Sequence, residues 1–378
     1  MIACDALIVG GGPAGSSCAR ALVRAGLHVV LLDRATFPRD KTCAGWITPP
    51  VLETLAIDAH DYRTSAPQGR TLQPIRAFQT SRLGDPAIHT RFDRVVSYGI
   101  RRCEFDHYLL QRSGADLHTG EPLATLRRDA AGERWIANER VISPIVIGAG
   151  GHFCPVARQF GHASLGDEPI VAAQEIEVTL TPEQERRCAI EAETPELFLT
   201  RDLKGYGWAF RKGRVLNVGL GRQDRHDLSR QVRDFVATLL AAGKMPPDLA
   251  WRWKGHAYVI HGTSLRRPID DGMLLIGDAA GFAYPRSGEG IRPAIESGLL
   301  AAQTIVEARG RYDRDSLEPY RSRVLARFGR GETPAAWSAL PPSLTTLIAA
   351  RLLSVPWFAR EVFLTRWFLH AHEPALVA

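Results

Sequence analysis

The sequence predicts an α/β fold in which a domain with a parallel sheet is interrupted by an inserted antiparallel β-sheet domain and followed by a helical C-terminal tail. Three observations predict it. Residues 6–34 follow the order strand, glycine-rich turn, helix and strand. Residues 171–221 contain alternating apolar and polar segments typical of antiparallel strands, and residues 311–378 are mostly helical in pattern.

The first βαβ unit is the most informative segment. An apolar run, residues 6–9, leads into Gly10, Gly12 and Gly15, spaced G-x-G-x-x-G. Gly10 permits the tight turn, Gly12 lets the backbone approach a pyrophosphate, and Gly15 lets the helix pack closely on the strands. A second apolar run ends on Asp33, about 20 residues further on, where a carboxylate accepts hydrogen bonds from ribose hydroxyls. This order indicates a Rossmann-type dinucleotide-binding domain.

Composition excludes several classes of function. In a chain of 378 residues, 45% hydrophobic and 23% charged residues are typical of a globular protein. The net charge of +6 suits phosphates, acidic carriers or an anionic lipid surface, and the sequence has no lysine-rich cluster with interleaved aromatics that would bind nucleic acid. The six cysteines have no metal-site spacing and no signal peptide is visible. We therefore expect reduced cysteines, no metal and a cytoplasmic location.

The pattern along the chain predicts a discontinuous cofactor domain. Residues 101–112 predict an amphipathic helix, residues 141–149 a buried strand, residues 206–221 a hairpin with its turn at Lys212 and Gly213, and residues 290–309 a helix. The domain assignment is residues 1–70, 98–165 and 255–310 for the cofactor domain, 71–97 and 166–254 for the substrate domain, and 311–378 for the helical C-terminal region.

Three further segments provide polar groups for a cofactor. In GDAAG, residues 277–281, Asp278 follows an apolar strand and can hydrogen-bond a polyol chain. The loop around SGEGI, residues 287–291, opens a helix at Gly290, whose N–H groups favour negative charge on a flavin N1–C2=O edge. Arg102 begins an R-x-x-F-D motif and can reach a phosphate.

Together these motifs resemble the FAD-dependent geranylgeranyl reductase family, within the para-hydroxybenzoate-hydroxylase-like flavoproteins. The resemblance runs from residue 5 to about residue 305. The family pattern KxCGG is similar to residues 41–45, where Ala44 replaces a glycine, and YxWxFP is similar to residues 206–211, where Arg211 replaces the proline. The resemblance implies FAD as the cofactor. Because no second complete dinucleotide motif is visible, the reductant is either transiently bound NAD(P)H or a separate electron donor.

The resemblance also implies roles for residues that contact substrate. Cys43 would lie near the isoalloxazine ring and donate a weak hydrogen bond or a proton; the alternative is a small buried hydrophobe. Tyr206, Trp208 and Phe210 alternate and so share one face of a strand, where they form either a cavity wall or core packing. The catalytic candidates are Cys43, Tyr206, Trp208 and Phe210. The cofactor-binding candidates are Gly10, Gly12, Pro13, Ala14, Gly15, Asp33, Arg34, Lys41, Arg102, Asp278, Gly288, Gly290 and Ile291.

These features predict an FAD-dependent oxidoreductase that reduces a C=C bond in a hydrophobic unsaturated substrate. The alternatives are a flavin-dependent monooxygenase or halogenase, and a non-catalytic flavoprotein that donates electrons to a quinone or a partner. Related hydroxylases carry an Asp-Gly pair where this chain has Gly150 and Gly151. A halogenase needs a lysine between flavin and substrate, and none lies between Lys41 and Lys204. Both observations favour reduction.

The C-terminal segment, residues 344–369, is apolar and aromatic. Charged residues interrupt it and Pro356 would break a helix, so no uncharged run approaches the roughly 20 residues of a transmembrane helix. It either caps the substrate cavity or forms an interfacial patch for lipid or a carrier. We expect a hydrophobic small-molecule or carrier-bound substrate, a redox partner, and peripheral contact with the inner membrane surface as the alternative location.

Overall fold

The computed structural model describes residues 1–159, 170–224, 227–262, 266–329 and 342–377. The strands are β1 (Ile2–Ala3), β2 (Ala6–Val9), β3 (Val29–Asp33), β4 (Trp46–Ile47), β5 (Leu72–Ile75), β6 (Ala77–Arg82), β7 (Ile88–Arg91), β8 (Ser97–Ile100), β9 (Asp116–Thr119), β10 (Leu126–Arg128), β11 (Trp135–Ala137), β12 (Val141–Ser143), β13 (Val146–Gly148), β14 (Ile170–Thr179), β15 (Glu196–Leu199), β16 (Gly205–Lys212), β17 (Val215–Arg222), β18 (Lys254–Val259), β19 (Ile269–Asp270) and β20 (Met273–Leu275). The helices are α1 (Pro13–Arg24), α2 (Pro49–Thr54), α3 (Ala59–Thr64), α4 (Arg102–Gln111), α5 (Pro155–Gln159), α6 (Pro182–Arg186), α7 (Leu228–Ala241), α8 (Ile291–Ala308), α9 (Arg314–Phe328) and α10 (Pro342–Leu353), with a 3-10 turn at Gly277–Ala279 and a π-helix at Phe358–Phe368.

A six-stranded sheet carries the predicted dinucleotide motif. Its order is β19-β20-β13-β2-β3-β9, and every pair is parallel except β19 with β20. All residues of β2 and β3 are buried, as expected for strands covered on both faces. Helices α1 and α8 pack against each other beside this sheet. The α/β class and the first βαβ unit are therefore as predicted.

A seven-stranded sheet forms the second layer. Its order is β18-β14-β17-β16-β15-β6-β7, antiparallel except for the parallel pair β15 and β6. The hairpin of β16 and β17 is confirmed, but its turn is wrong by one residue, because Lys212 pairs with Val215. Lys212 stays in the strand since its buried ammonium lies 2.6 Å from the Glu177 carboxylate. Gly213, with a φ of +61°, takes the left-handed turn position.

Two predicted boundaries change. The buried strand predicted over residues 141–149 is two strands, because Pro144 has no N–H for a ladder; β12 joins the sheet β1-β12-β11-β10, whereas β13 joins the parallel sheet. Residues 255–259, assigned by sequence to the cofactor domain, belong to β18, which pairs with β14 at the edge of the seven-stranded sheet. The predicted boundary at residues 165–166 lies outside the described residues.

A small sheet, β4-β8-β5, and helix α4 carry further residues toward the site. Helix α4 buries Phe105, Leu109 and Leu110, as the amphipathic pattern predicts. The three-stranded sheet carries Trp46, whose ring lies among the aromatic residues of the seven-stranded sheet. These elements connect the parallel sheet to the antiparallel one.

The C-terminal region is tied to α8 by a buried ion network. Arg292 and Glu296 on α8 are 1% and 0% exposed, and Nε of Arg292 lies 2.9 Å from Oε1 of Glu296. Arg327 of α9 also binds Glu296, and Arg292 donates to the carbonyls of Glu373 and Pro374. Among the described residues, no helix has the length and apolarity that crossing a membrane requires. The predicted helical content of residues 330–341 lies outside the described residues.

Candidate active site

One cavity of about 840 Å³ is shared by the predicted cofactor and substrate residues. It is lined by the turn after β2, the end of β3, the start of α8 and one face of the seven-stranded sheet. Its volume lies in the range of about 300–1,000 Å³ usual for cofactor and ligand sites. The position at the carboxyl ends of parallel strands is the usual binding edge of such sheets.

The glycine-rich turn forms one end of this cavity. A Cβ at Gly10, whose φ is +117°, would lie 2.4 Å from the Ala149 carbonyl oxygen, and one at Gly15 would lie 1.9 Å from the Gly10 carbonyl oxygen. Gly15 does not line the cavity but lets α1 pack against the strand. Gly12 precedes α1, and no side chain caps that helix. The first N–H groups of α1 are therefore available to an anion.

Asp33 is held at the end of β3 by two backbone donors. Its Oδ2 accepts from the Gly11 N–H at 2.6 Å and its Oδ1 accepts from the Ala35 N–H at 2.8 Å. Each carboxylate oxygen has further acceptor capacity for a hydroxyl. The structure brings the residues predicted for the dinucleotide end together at the cavity: Gly10, Gly12, Pro13, Ala14, Asp33 and Arg34.

Arg39 also lies beside the glycine-rich turn, and the sequence prediction missed it. Its Nη2 is 3.5 Å from the position of a Cβ on Gly12 and 3.3 Å from Asp106. Its Nη1 is buried and has no hydrogen-bond partner among the described residues. A guanidinium so placed suits a diphosphate group. Its place two residues before Lys41, at the start of the segment that resembles KxCGG, is the signal that could have found it.

Lys41, His256 and Asp278 form a polar cluster on the cavity wall. The Lys41 ammonium lies 2.8 Å from Nε2 and 3.0 Å from Nδ1 of His256, whose Nε2 lies 3.7 Å from Asp278. Burial lowers the pKa of Lys41 to about 8 and also lowers the pKa of His256. Burial opposes the charge of Asp278, but the His256 hydrogen bond keeps its pKa below the ordinary value. Lys41 and Asp278 were predicted, whereas His256 was not.

Arg102 is more strongly engaged than its motif suggested. Its Nε and Nη2 each lie 2.8 Å from a carboxylate oxygen of Asp106, in a bidentate pair. Burial disfavours the charge, yet the Asp106 carboxylate holds the pKa of Arg102 above its ordinary value. Arg102 lines the cavity, so R-x-x-F-D supplies a fixed cation at the wall. Its contact with a phosphate stays a prediction.

The SGEGI loop lies against Tyr258. A Cβ at Gly288, whose φ is +68°, would lie 2.2 Å from the Tyr258 hydroxyl oxygen. Gly290 precedes α8 without a side-chain cap, and a Cβ there would lie 3.0 Å from Asp278 Oδ1. Gly288, Gly290 and Ile291 all line the cavity. Tyr258, which sequence reasoning missed, lies two residues after His256 on β18, so the two side chains share one face of the strand.

Cys43 lines the same cavity beside a carboxyl group that was not predicted. The Cys43 N–H donates to Oε1 of Glu175 at 2.6 Å, and the Gly45 N–H donates to the Cys43 Sγ at 3.4 Å. Glu175 Oε2 accepts from Asn217 at 3.4 Å, and burial raises the pKa of Glu175. Cys43, which the resemblance to KxCGG singled out, therefore has a half-buried thiol, and the Glu175 carboxylate fixes its backbone.

The three alternating aromatics separate into two environments. Tyr206 and Trp208 line the cavity, but Phe210 does not: it is fully buried and its ring stacks on Trp46 with centroids 4.5 Å apart. For Phe210 the core interpretation replaces the cavity wall, because β4 covers that end of the sheet face. Trp208 is also only 5% exposed and donates to Asn217 Oδ1 at 2.7 Å.

A glycine explains how Trp208 lies flat on the sheet. A Cβ at Gly219, its neighbour on β17, would lie 2.3 Å from the Trp208 ring. The C-terminal π-helix contributes Phe368 and then Leu369 to the cavity wall, and the Phe368 ring lies 6.3 Å from the Tyr206 ring. The positions of Phe368 and Leu369 agree with the interpretation in which residues 344–369 cap the cavity.

Residues 3–330 match a family described as FAD binding domain. The chain belongs to this family. The glycine turn, the orphaned Arg39 nitrogen and Asp33 of the flavoprotein together fit the adenosine diphosphate part of that cofactor, while Asp278 and the uncapped α8 fit the flavin part.

The flavoprotein is similar to geranylgeranyl diphosphate reductase of Rhodobacter capsulatus, at 29% identity over 319 residues that cover 79% of this chain and 74% of the relative. It is 26% identical to menaquinone reductase of Mycobacterium tuberculosis, over 89% of this chain and 83% of the relative. A solved structure, a geranylgeranyl bacteriochlorophyll reductase-like protein of Thermoplasma acidophilum, superposes with a TM-score of 0.76 at 21% identity, covering 97% and 96% of the two chains. That likeness shows the fold.

We expect Asp33→Ala to weaken FAD binding by about 1–3 kcal/mol, because charge-assisted hydrogen bonds to the ribose are lost. Titration of the apoprotein with FAD, followed by flavin fluorescence, measures this. Asp116→Ala, on the neighbouring strand β9, removes an exposed carboxylate that does not line the cavity and is the matched control. Equal affinities for the two variants would show that the ribose is held elsewhere.

Proposed function

We propose that this flavoprotein reduces a C=C bond in a hydrophobic, polyprenyl-type substrate. The observation that carries the proposal is that one cavity contains both the glycine-rich turn and an apolar wall of Tyr206, Trp208, Phe368 and Leu369. The names of the relatives from Rhodobacter capsulatus and Mycobacterium tuberculosis support reductase chemistry on this fold.

The chain's residues position the two reactants. The bound cofactor supplies a hydride when reduced. Trp208 and Phe368 offer flat apolar surfaces to an isoprenoid chain and exclude water from the reacting carbons. Cys43, fixed through its N–H by Glu175, lines the cavity, and we propose that its thiol contacts the cofactor or the substrate. Among the four catalytic candidates we keep Cys43, Tyr206 and Trp208 and assign Phe210 to packing.

We also propose how the substrate and the electrons reach the site. Leu347, Val355 and Trp357 of the C-terminal region are 59%, 45% and 66% exposed, and Arg351 lies exposed in the same region. This composition supports peripheral contact with an anionic membrane surface, where polyprenyl substrates reside.

The reductant is NAD(P)H or a separate donor protein. In this proposal the chain keeps its division into a cofactor domain and a substrate domain, and β18 belongs to the substrate domain.

A second candidate is electron transfer to a quinone, which the name of the menaquinone reductase relative favours. Halogenase chemistry is less well supported. Of the two lysines that line the cavity, Lys41 contacts His256 and Lys204 has a side chain that is 63% exposed and lies 3.7 Å from Asp224.

The test uses the FAD-loaded protein, reduced without oxygen and mixed with geranylgeranyl diphosphate or menaquinone. We expect a product heavier by the mass of two hydrogen atoms per reduced double bond, together with stoichiometric flavin reoxidation. Mass spectrometry must locate the gain in the prenyl chain. Reoxidation by menaquinone with only its ring reduced would favour electron transfer. Oxygen-dependent formation of a hydroxylated or halogenated product would overturn reduction.

A further inference from the structure

Glu289 is an acid of the SGEGI loop to which the motifs gave no role. It lines the cavity, and its Oε1 is buried without a hydrogen-bond partner among the described residues. Its backbone is fixed, because its N–H donates to Ser287 Oγ at 3.2 Å and its carbonyl accepts from the Tyr284 N–H at 2.9 Å. The loop therefore holds a carboxyl oxygen at the cavity that forms no hydrogen bond with the part of the chain that the structure describes.

Charged groups of both signs surround Glu289. Arg292 and Glu296 face it from α8, Glu373 from the C-terminal segment, and Tyr206 and Tyr284 from β16 and the preceding loop. The Arg292 guanidinium is already bound to Glu296 and to C-terminal carbonyls. Burial raises the pKa of Glu289 to about 8; the Arg292 guanidinium and backbone N–H oppose this rise, and the carboxylates of Glu296 and Glu373 add to it. Glu289 is therefore a neutral carboxylic acid at neutral pH, with a proton to give.

Resting on the proposed function, we propose that Glu289 is the general acid of the reduction. Its O–H bond breaks as a C–H bond forms on the alkene carbon that does not receive the hydride. The double bond gains one hydride, which the reduced cofactor supplies, and one proton. Glu289 is left as a carboxylate, which takes a proton from water before the next turnover.

Glu175 is the competing acid on the cavity wall. Unlike Glu289, it accepts hydrogen bonds at both oxygens, from the Cys43 N–H and from Asn217. Those donors stabilise the charged form, and they hold the side chain against the backbone of Cys43. Glu175 is accordingly a positioning residue for Cys43, and Glu175→Gln is the matched comparison for Glu289→Gln.

The experiment compares wild type, Glu289→Gln, Glu289→Asp and Glu175→Gln as FAD-loaded proteins with geranylgeranyl diphosphate. We expect Glu289→Gln to lower turnover by about 10²–10⁴-fold, the usual contribution of a general acid. The decline of wild-type turnover above about pH 8, the pKa of Glu289, should be missing in this variant. Glu289→Asp should restore part of the rate, and Glu175→Gln should keep the alkaline decline.

Two readouts are independent of turnover. The infrared spectrum of the wild type should contain a protonated-carboxyl band that titrates near pH 8 and is missing in Glu289→Gln. Since the pKa is 4.5 in the unfolded chain and about 8 in the folded one, the folded state loses stability as pH rises through this window. Glu289→Gln should therefore melt at the wild-type temperature at low pH and above it at pH 9.

The outcomes separate the two proposals. Alkene reduction by Glu289→Gln at the wild-type rate and with the wild-type pH profile would overturn the role of Glu289 and leave the proposed function intact. The same conclusion follows if Glu175→Gln, rather than Glu289→Gln, loses the alkaline decline. A wild-type protein that reduces no prenyl double bond would overturn the proposed function itself, whatever the infrared band shows.

Discussion

Gly15→Ala is expected to abolish flavin retention during purification. The added Cβ would lie 1.9 Å from the Gly10 carbonyl oxygen, a backbone atom that no side-chain rotation can move away. Helix α1 must then shift from β2, and its first N–H groups move away from the position that we expect the diphosphate to occupy. We expect the dissociation constant of FAD to rise at least about 100-fold, equivalent to about 2.8 kcal/mol. Flavin absorbance and isothermal titration of the apoprotein measure the effect.

Gly11→Ala is the matched control for this turn. A Cβ at Gly11 would meet only the ends of the Leu110, Leu31 and Phe37 side chains, at 3.2–3.3 Å. Those side chains can move by a few tenths of an ångström, so a small loss of affinity is expected. If Gly15→Ala bound FAD as tightly as Gly11→Ala, the close packing of α1 on the strand would not be what positions the diphosphate.

Glu296→Gln is expected to lower the free energy of unfolding by about 3–5 kcal/mol, the usual cost of removing one partner from a buried ion pair. Arg292 and Glu296 are almost completely buried, and Arg327 lies 2.6 Å from the same carboxylate. The substitution leaves two guanidinium groups facing a neutral amide. Urea denaturation followed by tryptophan fluorescence measures the change. Faster proteolysis of residues 358–377 should accompany it, because Arg292 also binds the C-terminal carbonyls.

Glu318→Gln on α9 provides the comparison. Its carboxylate lies 3.4 Å from Arg321, and both side chains are about half exposed, so we expect a change of about 0.5 kcal/mol or less. Equal stabilities for the two variants would contradict the importance that we assign to the buried network. Unaltered proteolysis of the C-terminal segment in Glu296→Gln would show that other contacts hold it.

The parts of the site that are local in sequence were predictable. The residues from Gly10 to Asp33 form one strand–turn–helix–strand unit, in which each glycine has a steric reason that the motif already implies. The SGEGI loop and Asp278 similarly occupy the end of one strand and the start of one helix. In these segments, short-range geometry fixes the position of each functional group.

The other residues of the site could not be predicted without knowing which distant segments of the chain pack together. Alternation correctly places Phe210 and Trp208 on one face, but it contains no information about what covers each end of that face. Trp46, which stacks on Phe210, comes from a two-residue strand without any periodicity. His256 reaches Lys41 only because β18 joins β14 at the sheet edge. A lone polar residue in a strand gives no sign of such a partner.

The cavity wall also determines when the site can exist during synthesis. Its first residues, near Gly10, leave the ribosome long before Phe368 and Leu369, which complete the wall. The strands of the parallel sheet around the glycine turn are all translated by Leu275. The apolar chamber closes only after Phe368 and Leu369 have been translated. A hydrophobic substrate can therefore be enclosed only after these two residues have been added, although the glycine turn and its sheet are translated about 90 residues earlier.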